Sequence, residues 1–158
     1  YPTEEEEFVI VERVTGVAQA VAAVASTADL AALQRACRSG YVDPSIMQYA
    51  VRLVAATRTP ERFGLPDLGR MLTFGASPRA SINLVEAGRA LAYLRGRNYV
   101  LPEDITDVAP DVMRHRLVLS YDALAEGANG DQLVEKILRQ VPAPAKPLQT
   151  HVRVGAAG

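Results

Sequence analysis

The 158-residue sequence holds one cysteine, Cys37, which excludes an intramolecular disulfide and any multi-cysteine metal centre. Its setting beside Leu30 and Leu33 reads as packing rather than reactivity. Histidine is almost as scarce. His115 and His151 stand far apart, neither in a ligand pattern; His115 reads as a structural or exposed residue and His151 falls in the tail. No apolar run approaches the ~20 residues that a membrane helix needs, and no signal-peptide pattern is visible, so the chain is expected to be cytoplasmic with no membrane insertion. Excess charge is lacking too: 17 basic residues against 18 acidic ones give a net charge of -1, which makes no global case for nucleic acid. The six tyrosines are scattered, without the basic-aromatic interleaving of a single-strand binder. The sequence begins with Tyr1 rather than Met, which is expected of a piece of a longer protein.

What is present suits one domain with a core of useful size, at 49% hydrophobic and 22% charged residues. The charge is uneven. Arg52 to Arg97 holds eight arginines against Glu61, Asp67 and Glu86, whereas Glu4 to Glu7 form an acidic cluster. A locally positive middle could meet a phosphate or an acidic partner, or be a solvated arginine-rich face.

The stretch Gly75-Ala76-Ser77-Pro78-Arg79-Ala80-Ser81 launches a long helical pattern toward Arg95. Ser77 offers an N-cap oxygen, and Pro78 suits the first helical position. Arg79 falls in the first turn, where a cation opposes the helix dipole and costs stability. Ala80, Leu84, Ala87, Leu91 and Leu94 predict one apolar stripe, with Ile82, Val85 and Ala92 as a second edge. Arg79, Asn83, Glu86 and Ala90 fall on a third line, so the arginine projects from a packed helix rather than from a loop.

Elsewhere, Thr3 and Glu6 make a capping box for a helix from Glu4 to about Arg13, ending near Gly16 and lacking a sustained apolar stripe. Such a helix is expected to pack on something outside the chain. Gly16 to Ala25 is expected to be extended, and Leu117–Tyr121 to be a short strand pairing with it near Val21. Ser26 and Asp29 predict a cap for a helix burying Leu30, Leu33 and Cys37; Asp43-Pro44 opens a third helix through Ile46, Met47, Ala50, Leu53, Val54 and Thr57. Thr59 to Leu72 reads as a loop or short helical turn. Pro102 opens a helix expected to break or kink around Ala109, before Pro110, and Glu103-Asp104 reads as dipole compensation in its first turn rather than a catalytic pair. Asn129-Gly130-Asp131 caps a last helix through Leu133, Val134, Ile137, Leu138 and Val141, after which Pro142, Pro144 and Pro147 forbid continuation.

The Gly-Ala-Ser-Pro-Arg-Ala motif at 75–80 resembles that of the MoxR family of AAA+ ATPases, where it starts the sensor-2 helix of the lid domain. The resemblance extends through Tyr1-Pro2-Thr3-Glu4-Glu5-Glu6, Tyr41-Val42-Asp43-Pro44, Arg52-Leu53-Val54 and His115-Arg116-Leu117-Val118-Leu119. It implies a mainly α fold, a helical-bundle lid with a short two-stranded β element, divided as a connecting helix at 1–16, the lid at 17–141 and a Pro-rich flexible tail at 142–158. It implies that Arg79, with Ser77 and Pro78 supporting the helix start, contacts nucleotide phosphates. It further implies ATP and Mg2+ as cofactors of the full-length protein, with none bound to the isolated domain. The implied assembly is a ring, commonly a hexamer, acting as a chaperone on partners such as von Willebrand factor A domain proteins.

Neither a Gly-rich loop with Lys-Ser or Lys-Thr nor an acidic strand end for magnesium occurs here, so the chain is not a complete ATPase. Two further readings compete with the lid. A stand-alone helical DNA-binding or adaptor module would use the arginine-rich middle. A hydrolase built on Ser77 or Ser81 would need a base that neither histidine is placed to supply.

Overall fold

The computed structural model describes residues 1–17 and 21–145. The chain divides into two compact units, Tyr1–Ala32 and Leu33–Gly158.

In the first unit, helix α1 (Glu4–Thr15) starts as expected. The Thr3 N–H donates to Glu6 Oε2 at 2.8 Å, and the Glu6 N–H donates back to Thr3 Oγ1, which closes the capping box. No residue of α1 is buried, and Phe8, Ile10, Val11 and Val14 are exposed. Val21 is also exposed, and residues 21–25 carry no regular structure; the rest of the expected extended stretch, at 18–20, lies outside the described residues. Helix α2 (Thr27–Ser39), which spans the junction of the units, begins with reciprocal bonds between Ser26 and Asp29. Its expected buried face is not found. Leu30 and Leu33 are exposed and Cys37 is half-buried, because among the described residues no element covers the stripe at Leu30 and Leu33.

The second unit is built around three helices: α3 (Pro44–Ala56), α5 (Pro78–Leu94) and α6 (Pro102–Met113). Asp43 caps α3 by accepting the Ser45 N–H at 2.8 Å, with Pro44 at the first position. The helix buries Ile46, Ala50, Leu53 and Val54 as the spacing predicts, and Tyr49 in addition, whereas Met47 is exposed. On α5 the buried line is Ala80, Leu84, Gly88 and Ala92, with a repeat of four; Ile82 and Leu94 face solvent. The predicted stripe drifts off that line because it follows leucines, whereas small residues mark where neighbours approach. At Gly88 a Cβ would stand 2.8 Å from Ile105 Cδ1 of α6, so glycine lets the two helices close.

Helix α6 runs unbroken to Met113 with Pro110 inside it, rather than breaking near Ala109. One missing donor is tolerated because Ile105, Ala109 and Met113 are all fully buried and hold the helix on both sides of the proline. Glu103 and Asp104 do lie in the first turn of α6, as the dipole reading has it, but Asp104 does more. It is fully buried, accepts the Leu101 N–H at 2.8 Å, and receives Arg97 at 2.6 and 2.8 Å and Arg95 at 2.9 Å. One carboxylate thus caps α6 from inside and closes the α5–α6 turn. The turn is further tied to the start of α3, since Tyr41 N–H donates to Asn98 O and Val100 N–H to Tyr41 O.

Between α3 and α5, the expected loop contains a 3-10 turn (Pro60–Phe63), helix α4 (Pro66–Met71) and strand β1 (Leu72–Phe74). Strand β2 (Val118–Leu119) pairs antiparallel with β1, not with the segment near Val21; Leu72 faces Leu119 and Phe74 faces Val118 across an irregular register. Ser120 fixes this pairing, its Oγ donating to Arg70 O at 2.7 Å and its N–H to Met71 O at 2.9 Å. After α7 (Tyr121–Ala125), Asn129 and Gln132 form a reciprocal cap for α8 (Gly130–Gln140), which buries Leu133, Val134 and Ile137. The mainly α architecture with a two-stranded sheet agrees with the sequence reading. The Pro-rich tail lies mostly outside the described residues, from 146 onward.

Burial opposes ionisation of Asp104, but hydrogen bonds from Arg97, the Leu101 N–H and Arg95 outweigh it and hold the carboxyl below its usual range. Asp104→Asn is expected to cost about 1.5–3 kcal/mol in urea denaturation at neutral pH, because it weakens the charge-assisted hydrogen bonds that Arg95, Arg97 and the Leu101 N–H make to the buried carboxylate. The carboxylate's contribution is present above the ordinary Asp pKa and lost as pH falls through the lower folded value, so the gap between native and variant should narrow below about pH 4.

Candidate functional site

The backbone between β1 and α5 is shaped by Thr57, at the end of α3. Thr57 is buried, and its Oγ1 donates to Val54 O at 2.7 Å while accepting the Ala76 N–H at 2.9 Å. The crossing is so close that a Cβ on Gly75 would lie 2.3 Å from the Thr57 carbonyl oxygen, which glycine alone permits. Ala76 is fully buried beside it.

Ser77 takes the N-cap position in extended backbone, and Pro78 takes the first helical position. The expected hydroxyl cap, however, is not formed. The Ala80 N–H, one of the two donors such an oxygen would take, is bonded to the Ser77 carbonyl at 2.9 Å instead. Arg79 follows in the first turn with an exposed side chain and, among the described residues, no ion pair. Seven other arginines form or share such pairs or bond backbone carbonyls, namely Arg70, Arg89, Arg95, Arg97, Arg114, Arg116 and Arg139, whereas Arg13, Arg35, Arg38, Arg52, Arg58 and Arg62 have no ion pair either among the described residues; what sets Arg79 apart is its place in the first turn of a long helix. Arg79 therefore carries an uncompensated charge at the positive end of a helix, an arrangement that favours an anion.

Its mounting is firm below the guanidinium. With the Asn83 amide oriented to satisfy both neighbours, its nitrogen donates to Arg79 O at 3.3 Å and its oxygen accepts Arg116 Nη2 at 2.7 Å. Arg116 is half-buried and also donates to Val112 O at 2.9 Å, so the segment after α6 braces the first turn of α5. Sequence reasoning placed Asn83 on the Arg79 line but missed Arg116 and Thr57, because neither is linked to Arg79 by helical spacing.

The remaining candidates are not assembled here. His115 Nδ1 lies 3.0 Å from Asp111 O in an exposed position, and His151 is outside the described residues. No hydrogen bond joins Ser77 or Ser81 to a histidine, and no group of three or more His, Cys, Asp or Glu able to hold a metal occurs among the described residues. The arrangement mounts an exposed cation without an ion pair on a braced helix start, where an anion could meet it.

Residues 69–137, from α4 to α8, match the AAA lid domain family. The chain is similar to the chaperone MoxR1 of Mycobacterium tuberculosis, at 43% identity over 154 residues, covering 96% of this chain and 41% of that protein. It is similar to protein MoxR of Paracoccus denitrificans, at 37% identity, covering 66% of this chain and 32% of that protein. Its fold is similar to a crystal structure of a candidate ATPase from Cytophaga hutchinsonii, with a TM-score of 0.77, 36% identity, and coverage of 92% of this chain and 44% of that one. The chain thus spans less than half the length of each.

Gly75→Ala is expected to lower stability by about 2 kcal/mol in thermal or urea denaturation, since the methyl group must displace backbone rather than a flexible side-chain end. An unchanged midpoint would mean that the Thr57–Gly75 crossing relaxes freely.

Proposed function

This chain is a MoxR-family sequence carrying an AAA lid domain, and from that premise we propose that residues 17–141 form the nucleotide-sensing lid of a MoxR-type AAA+ ATPase, with Arg79 as its sensor-2 arginine. The observation that carries this reading is the exposed, unpaired guanidinium of Arg79 on a first turn braced by Asn83 and Arg116. When bound, ATP with Mg2+ supplies the phosphoryl group that is hydrolysed. The metal and most nucleotide contacts belong to a core outside these residues, whose described part holds no metal-ligand cluster. The role left to this chain is to place one cation against the phosphates. A charge-assisted hydrogen bond of that kind is worth roughly 1.5–3 kcal/mol, about tenfold or more in affinity or rate. Because Arg79 leaves from a packed helix, the same contact couples nucleotide state to lid angle.

The wider reading rests on the family resemblance. The helix at 1–16 connects the core to the lid, the lid meets the core of its own and a neighbouring subunit in a ring such as a hexamer, and the assembly remodels client proteins, von Willebrand factor A domain proteins among them.

The test is a protein extended upstream of Tyr1 to include the nucleotide-binding core. ATP turnover and Mg2+-ATP affinity are compared between the native sequence and Arg79→Ala. The substitution is expected to lower one or both by about tenfold or more, with the melting temperature almost unmoved because the side chain is exposed and unpaired. ATP turnover indifferent to Arg79→Ala would keep the lid and remove the sensor assignment. Titration with duplex DNA at two salt concentrations is expected to give no binding; strongly salt-dependent binding would favour the arginine-rich middle as a nucleic-acid surface.

A further inference from the structure

Among the described residues the buried side chains with polar groups include Asp104, Thr57 and Tyr49, and the Tyr49 hydroxyl has no hydrogen-bond partner. Asp104 is accounted for by the α5–α6 turn. Thr57 does more than end α3. A hydroxyl that only capped a helix C-terminus would donate to a carbonyl, as Thr57 Oγ1 does to Val54 O at 2.7 Å, and leave its acceptor capacity to solvent. Here solvent is excluded, and the acceptor is committed to the Ala76 N–H, at 2.9 Å, across 19 positions of sequence.

The entry to α5 depends on that bond. The N-cap side chain ordinarily fixes how a chain enters a helix, but Ser77 makes no such bond. The residue before it is anchored to Thr57 instead, and the backbone at Gly75 rests against the Thr57 carbonyl with no room for a side chain. Arg79 lies three residues beyond Ala76. Its guanidinium has no ion pair among the described residues to hold it, so its direction is inherited from the backbone at the helix start.

We propose that Thr57 is a positioning residue for Arg79, its buried hydroxyl locking the start of α5 to the end of α3 so that the guanidinium meets the nucleotide phosphates. This rests on the reading of Arg79 as the phosphate contact. Loss of the acceptor leaves the Ala76 N–H buried without a partner, which favours a shifted loop, and a small misplacement of a charge-assisted contact is enough to weaken it.

The experiment uses the extended protein with its nucleotide-binding core and four variants: Thr57→Val, which keeps the shape but removes the acceptor, Thr57→Ser, which restores it, Arg79→Ala, and the Thr57→Val/Arg79→Ala pair. Mg2+-ATP turnover and binding of a fluorescent ATP analogue are measured, with melting temperatures alongside. Thr57→Val is expected to lower turnover or affinity by about threefold to tenfold, Thr57→Ser to stay within about twofold of native, and Thr57→Val to add nothing once Arg79 is gone. A purely structural role would lower the melting temperature in both backgrounds without that dependence on Arg79. Equal losses from Thr57→Val with and without Arg79, or no loss at all while Arg79→Ala is impaired, would overturn the proposal and leave the phosphate reading standing. If Arg79→Ala itself is indistinguishable from native, the phosphate reading fails and the proposal falls with it. Should Thr57→Val not fold, Thr57→Cys carries the same comparison, its thiol being a weak acceptor.

Discussion

The close approach of α5 to its neighbours is the constraint on which the second unit rests. Ala80, Leu84, Gly88 and Ala92 form a narrow, mostly small-residue line, and at Gly88 any side chain would run into Ile105 of α6. With α5 and α6 this near, the turn between them must be short and its polar groups must be satisfied internally. Asp104 does so by gathering two guanidinium groups and a backbone N–H on one buried carboxylate. Burying a charge in that way is tolerated only because each lone pair finds a donor.

The same packing governs the candidate site. Arg79 does not sit in a pocket; it stands at the edge of a helix whose body is immobilised. Its first turn is held from one side by Thr57 through Ala76 and from the other by Arg116 through Asn83. Strand β1 feeds directly into Gly75, so pairing of β1 with β2 also limits where the loop can go. A rigid frame around one uncompensated cation is what an anion contact from a second body requires, because ordering the frame on binding would otherwise offset the interaction.

Local signals carried much of this. The caps at Thr3, Ser26, Asp43 and Asn129 depend on residues two or three positions apart, and all four form. The apolar spacing of α3 and α8 reports burial well because each has one broad covered face. For α2 the same spacing misled, since Leu30 and Leu33 mark a stripe that nothing in the described chain covers. On α5 the leucines drew attention away from the alanines and the glycine where the helices meet. The Ser77 cap failed for a local reason of its own, the Ala80 N–H being taken by the Ser77 carbonyl.

Sequence alone determined where the longer helices, though not α4 or α7, begin, which helix carries Arg79, and that the arginine lies in its first turn, because caps, proline positions and helical spacing act over a few residues. Only the tertiary structure decided that β1 pairs with β2, that Asp104 is buried between Arg95 and Arg97, and that Thr57 and Arg116 support the turn bearing Arg79. Strand pairing, the Thr57 bond and the Arg116 contact join segments distant along the chain. The burial of Asp104 depends on how closely α6 packs, a separation set by side-chain volumes rather than by any local motif.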